Sequence, residues 1–396
     1  MPSQQMQKQY SLMEGVIITH PSKQPIHLFV QTNKQLWRVS RTFLAFFLSI
    51  LFIGILALPA LPALAQVETV DEFADYGDAD GSKPTKSYCT QKVLYMAPTR
   101  LISVGYEAQL PFTLQSKVHV DGAEKGLEPA TDEKVSQFRG LRLSTNTPII
   151  SRSNLIVNLG LNFWNTYSKI APATSGMFAR STTASRLNDG RGMRTMGVQT
   201  TIFKPFDAKH FLIIQAQADL SGNYLKVNQI SSKNLTIAGS AIFGWKRSDN
   251  LLYGFGLSRT YRAGEAIIVP VVLLNRTFNP HWGIELALPA KGMVRYNFSP
   301  SSMLLAGYEI EGNTFYLGGD SAGRKEWLRR GEVKPRIALE QRLSGFVWLS
   351  VQAGLRYAYR LELWDTKNPS KTDEILWSHK AGLPFYANIA INLVSP

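Results

Sequence analysis

From about Thr99 to the C-terminus, apolar and polar positions alternate with a period of two. Leu155, Val157, Leu159, Leu161 and Phe163 form one row; Asn158, Gly160, Asn162 and Trp164 lie between them. Positions 347–362 repeat the pattern. There Val347, Leu349, Val351, Ala353, Leu355, Tyr357, Tyr359 and Leu361 alternate with Trp348, Ser350, Gln352, Gly354, Arg356, Ala358, Arg360 and Glu362. The closing segment alternates through Leu383, Phe385, Ala387, Ile389, Ile391 and Leu393. Successive side chains of a strand point to opposite faces, so this period predicts strands with one apolar face. The strand over 347–362 is far longer than the usual five or six residues.

Long alternating strands occur in soluble sandwiches and in membrane barrels. Three features favour an antiparallel transmembrane β-barrel, whose apolar row faces lipid and whose polar row faces the lumen. The strands are long enough to cross a bilayer at a tilt. Aromatic residues gather near strand ends, at Trp164, Tyr167, Tyr261, Trp282, Tyr316, Tyr359 and Trp364, as in interfacial girdles. The charges Glu107, Asp219, Glu285, Arg295, Glu309, Glu340, Arg342, Arg356 and Arg360 fall in the small and polar rows. Short polar connections (Ser151–Asn154, Asp207–Lys209, Arg247–Asn250, Asn279–His281, Ser299–Ser302) alternate with long ones, roughly 114–136, 169–191, 222–233, 318–332 and 365–380. The alternation holds throughout if Trp282–Phe298 folds back near Pro289–Gly292, which gives 14 strands. A lost pairing would give about 12.

The first 65 residues read as an export leader. Phe43 to Leu58 is uncharged and mostly apolar, and follows Lys34, Arg38 and Arg41. Pro59, Pro62, Ala63 and Ala65 then fit a signal peptidase site, with the cut expected between Ala65 and Gln66. Residues 66–97 begin with Glu68, Asp71, Glu72, Asp75, Asp78 and Asp80 and no base before Lys83. They are expected to be a disordered acidic tail. Asp78-Ala-Asp80-Gly81 is part of a calcium-loop pattern, but Tyr76 and Ser87 occupy its first and last ligand positions. The barrel is expected over 98–396.

Composition narrows the class. One cysteine excludes a disulfide framework. The net charge is +14, yet only 18% of residues are charged, which is unlike a Lys-rich nucleic-acid binder. The 30 glycines and many aromatics suit strands.

The segment Gly244–Gly312 carries a more specific signal. It contains GWKRSDNLLYGFGL, PVVLLN, WGIELALPAK, RYNFSPS and GYEIEGN. These motifs resemble a family of outer-membrane β-barrel proteins of unknown function from Gram-negative bacteria, over about residues 95–396. The resemblance implies a barrel in the outer membrane, with outer-membrane lipid and the barrel-insertion machinery as partners. It implies no catalytic residues. Many such barrels end on an aromatic residue, whereas this chain ends Leu393-Val394-Ser395-Pro396.

No local motif points to a cofactor or a metal. His119, His210, His281 and His379 form no close-spaced ligand pair, and none stands in a His-x-Ser pattern. A Ser–His–acid set assembled only in space remains the enzymatic alternative, as a membrane-embedded lipid hydrolase. Gly239, Gly244, Gly254 and Gly256 lie on alternating strands with no following helix, which argues against a phosphate loop. The lumen charges Glu285, Arg295, Glu309, Glu340, Arg342, Arg356 and Arg360 serve either as a ladder of ion pairs or as a pore lining. Lys169, Arg180, Arg186 and Arg191 are candidate lipopolysaccharide contacts, since Arg pairs bidentately with phosphate. The functional expectation is a pore or small-solute channel with a charged lumen, or a structural surface barrel. A soluble exported β-sandwich that binds a partner is the other alternative.

Overall fold

The computed structural model describes residues 87–119, 130–173, 175–176, 181–188, 192–319, 323–369 and 375–395. The expected cleavage site at Ala65 and Gln66 lies outside them.

The described chain is a single closed antiparallel barrel of 14 strands. Strand β1 runs Arg100–Gln109 and resumes as Phe112–Val118. Strand β2 runs Ala130–Thr145 and Thr147–Arg152. Then come β3 (Leu155–Ile170), β4 (Met193–Pro205), β5 (His210–Gly222), β6 (Leu235–Ser248) and β7 (Leu251–Thr260). Strands β8 (Ile267–Thr277), β9 (Trp282–Leu288), β10 (Lys291–Ser299), β11 (Ser302–Gly319) and β12 (Lys325–Ser344) follow. Strand β13 runs Val347–Leu355 and Tyr357–Trp364, and β14 runs Ile375–Ala381 and Phe385–Val394. Each pairs with its neighbour, and β14 closes on β1 with Ser103 opposite Asn392 and Glu107 opposite Asn388. Closure leaves the wall without a global edge, the condition for backbone polar groups in lipid.

The outer face is the apolar row. Ile102, Val104, Tyr106, Leu161, Leu257 and Ile268 are all exposed, the last to 71%. In water each would forfeit about 1.5–3 kcal/mol of possible burial. Around a closed sheet they form the lipid-facing band, so the soluble sandwich is ruled out. At the short-turn end the band closes in a girdle of rings. Trp245 stacks on Tyr253 at 5.5 Å, and Trp282 meets Tyr296 at 4.8 Å. Trp164 is not part of such a girdle. It faces inward between the Arg142 and Arg330 guanidiniums, 4.5 and 4.8 Å from its ring. Trp364 is not exposed to lipid either: it is buried, with the Arg329 guanidinium over its ring.

The fold-back between β9 and β10 falls at Pro289–Ala290, as the sequence predicts. These two strands are short, so Ile267–Val271 of β8 has no partner on that side. There the 261–266 connection leans across to β11, where Arg262 donates to the Ile310 carbonyl at 2.8 Å. Elsewhere strands run further than predicted. The long connection expected over 318–332 shrinks to 320–324, because β11 and β12 extend past it.

One register shift changes the map of the lumen. Strands β12 and β13 pair Glu332 with Ala358 but Gly331 with Arg360, a β-bulge. A one-residue slip sends every later side chain to the other face. Past the bulge, Leu361 and Leu363 turn inward while Arg360 and Glu362 turn outward. Arg360 is therefore not a lumen charge, contrary to the simple alternation. It bonds the Ala263 carbonyl and Glu265 of the 261–266 connection, at 3.2 and 2.5 Å.

Residues 87–99 run across the short-turn mouth of the lumen, so the tail expected over 66–97 does not extend through 87–97. The Cys89 N–H donates to the Asp207 carbonyl, and the Leu94 N–H to the Asp249 carbonyl. Thr277 Oγ1 donates to the Leu94 carbonyl at 2.7 Å, and the Asn297 amide to the Tyr95 carbonyl at 3.2 Å. Cys89 and Val93 pack on the inward-facing Phe203, Phe211, Ile213 and Ile242. Burial pushes the Cys89 thiol up, and it lowers the Lys92 ammonium to about 8 against the partial opposition of Glu285.

Candidate functional site

Between that mouth and the long-loop end lies a chamber of about 490 Å³ at mid-lumen. Inward positions of nearly every strand contribute to its wall. Different segments lie at its two ends.

At the long-loop end a short helix, α1 (Thr182–Leu187), sits inside the barrel. Ser181 caps it, its Oγ accepting from the Ala184 N–H at 3.1 Å. Ala184 and Leu187 join Leu114, Phe138, Phe315 and Leu328 in an apolar core. A buried polar clasp fixes the helix to the wall. Glu133 accepts from Ser116 Oγ at 2.9 Å and from the Ser181 Oγ and N–H at 2.8 and 2.5 Å. The two His379 ring nitrogens meet Ser116 Oγ and Thr183 Oγ1, at 2.8 and 2.7 Å. A serine, a histidine and an acid thus meet in space here. The acid bonds the serine rather than the imidazole, and Ser116 and Thr183 are both fully buried. The arrangement holds the helix; it does not present a nucleophile to a substrate.

Around the chamber the charges form a network. Glu107 meets Lys334 at 3.0 Å and also pairs with Arg356 and Arg142. Glu311 accepts from Arg142 and from Lys334 at 2.9 Å. Arg142 lies on β2 and Glu311 on β11, so this pair crosses the lumen. Glu332 takes a bidentate pair from Arg330, at 2.7 and 2.9 Å. Glu309 meets Arg336 at 2.7 Å.

The predicted lumen residues distribute as follows. Glu309 and Arg356 belong to this network. Glu285 and the fully buried Arg295 pair nearer the short-turn end, at 3.4 Å, with Arg295 also donating to Thr277 Oγ1. Glu340 pairs with Arg100 and accepts from Ser350 Oγ at 2.8 Å. Arg342 is exposed at the end of β12. Arg142, Glu311, Glu332, Lys334 and Arg336 are central although the sequence reading passed over them. All five occupy inward positions, which was the available signal.

Of the candidate lipopolysaccharide contacts, Lys169 is exposed. Arg186 is held by Glu326 at 3.0 Å and by the Gly319 carbonyl, so its guanidinium is already paired. Arg180 and Arg191 lie outside the described residues. Among the described residues no group of three or more His, Cys, Asp or Glu is arranged to hold a metal ion.

Among curated proteins none matches the chain. Solved structures of similar course include an outer membrane channel from Pseudomonas putida F1, at 9% identity, covering 78% of this chain and 99% of that one with a TM-score of 0.33. A FadL homologue from Pseudomonas aeruginosa follows at 8% identity, 76% and 91% coverage and a TM-score of 0.36. The Pseudomonas putida toluene transporter TodX gives 11% identity, 78% and 95% coverage and a TM-score of 0.29. Identities and scores this low speak for neither solute nor mechanism. The sequence itself is more informative, because residues 191–393, from just before β4 to the end of β14, fit the model of one family. With just over half of the chain inside that model, this outer-membrane β-barrel belongs to the family described as domain of unknown function DUF6268.

Proposed function

We propose that the protein is a small-solute channel of the outer membrane, with the mid-lumen chamber as its solute site. The observation that carries this reading is the chamber itself, a space of about 490 Å³ walled by polar and charged side chains inside a lipid-facing barrel. Such a volume lies in the range of small-molecule sites. Passage requires the 87–99 segment to withdraw from the short-turn mouth and a route for solute beside α1 at the long-loop end. On this reading the chain is exported by its leader, cut between Ala65 and Gln66, and is surrounded by outer-membrane lipid. Of the two described candidates, Lys169 is then the one free to meet lipopolysaccharide phosphate.

A structural surface barrel is the second reading. The Arg142–Glu311 bridge across the lumen and the segments lying at its two ends favour it. Planar-bilayer recording separates the two. The full-length protein, verified as folded by heat-modifiable gel mobility, should give discrete conductance steps. A form lacking residues 66–98 should give larger ones. Folded protein without steps in either form would leave the structural reading standing.

A further inference from the structure

We infer that the chamber recognises small solutes bearing an ammonium group, and that Asp219 is the residue that pairs with it. The inference deepens the channel reading and rests on the chamber being a solute site.

Four carboxylates line the chamber: Glu107, Asp219, Glu309 and Glu311. The three glutamates each have a lysine or arginine partner. Asp219 has none, although it is only 8% exposed. Its oxygens accept from two neutral amides, Asn162 Nδ2 at 3.1 Å and Gln217 Nε2 at 2.7 Å. A carboxylate offers about four acceptor positions, so roughly half remain open. A buried charge without a counter-charge is costly, and a cationic group placed against it recovers that cost.

The neighbouring residues are arranged for the same purpose. Asn162 on β3, Gly197 on β4 and Asp219 on β5 lie in one row across the wall. A Cβ at Gly197 would collide with both Asp219 Oδ1 and Asn162 Oδ1. Its absence lets these two acceptors converge over the glycine. Asn162 Oδ1 is buried and has no donor. The amide cannot be turned to remove this, because Asn162 Nδ2 is engaged by Asp219 and the turned form would set oxygen against carboxylate. An unpaired anion beside an unfilled acceptor suits a cation with several N–H donors, and an ammonium is more compact than a planar guanidinium. Elsewhere in the chamber Arg100, Arg142, Lys334 and Arg336 are each paired with a glutamate, which leaves Asp219 as the carboxylate open to a cationic head.

The test is calorimetric titration of the folded full-length barrel in detergent with n-butylammonium and with n-butanol. Wild type should bind the ammonium in preference. Asp219→Asn should weaken ammonium binding about tenfold or more and leave butanol unchanged, while Asp219→Glu should retain the preference. Equal ammonium binding by wild type and Asp219→Asn, or no saturable binding by wild type, overturns the inference. The two readings fail separately. Asp219-dependent binding without conductance removes the channel but not the site; conductance without Asp219-dependent binding does the reverse.

Discussion

The two ends of the lumen are occupied in opposite styles. At the long-loop end the stopper is an internal helix, flanked on both sides by strands and fixed by a buried clasp within an apolar core. At the short-turn end it is a segment ahead of the first strand, held by backbone bonds, by donors from the wall side chains Thr277, Asn297 and Lys246, and by the small apolar side chains Cys89 and Val93. Removing the first stopper requires breaking core packing. Removing the second requires only undocking, because no downstream strand depends on it. Local stability follows the amount of buried apolar contact. The lumen thus has one fixed end and one releasable end.

This contrast can be broken or sharpened by experiment. Phe315→Ala, in the core beside α1, should cost about 3–5 kcal/mol and lower the denaturation midpoint of the whole barrel in detergent. A loss confined to the helix would show that the long-loop end is also releasable. Glu133→Gln should cost about 1–3 kcal/mol, since it disturbs a buried acceptor of three bonds. Amide exchange over 181–187 should rise with it, and unchanged exchange would remove the clasp from the account. Val93→Ala should cost about 1–2 kcal/mol, felt only by the 87–99 segment. Maleimide should then reach Cys89 while gel mobility stays that of the folded barrel; concerted unfolding would erase the distinction between the ends.

The smallest effect concerns pH. Docking holds Lys92 near 8, below the 10.5 of the free side chain. The docked segment therefore binds fewer protons between pH 8 and 10.5. Docking should strengthen as pH rises through that window, while below pH 8 the full cost of the buried ammonium is present. Because Lys92 is only half-buried, the gain should be about 1 kcal/mol or less. Limited proteolysis of residues 87–99 across this range should slow for wild type relative to Lys92→Met. Parallel curves would remove Lys92 from the account of the segment's docking.

Much of the wall was legible in the sequence. The alternating rows predicted lipid and lumen faces, and the turn at Pro289–Ala290 settled the strand count. The interior was less legible, for physical reasons. The bulge at Gly331 depends on how two strands pair, so alternation along β13 alone placed Arg360 on the wrong face. The Arg142–Glu311 bridge joins residues 169 positions apart, and no local spacing encodes it. Glycine at 197 reads as an ordinary small inward residue until β3 and β5 are set beside it. The clasp of Ser116, Glu133 and His379 could be anticipated only as a possibility of three residue types meeting.

The short hairpin of β9 and β10 also bears on the surrounding bilayer. At ~3.4 Å per residue and a tilt of about 40°, strands of 7 and 9 residues rise roughly 18 to 24 Å. That is less than the ~25 Å apolar band of such barrels. Lipids beside this hairpin must shorten or tilt to match it, while those around β11 and β12 need not. The protein therefore imposes a fixed low point on the membrane thickness around it, at one compass bearing set by the length of a single turn-linked pair.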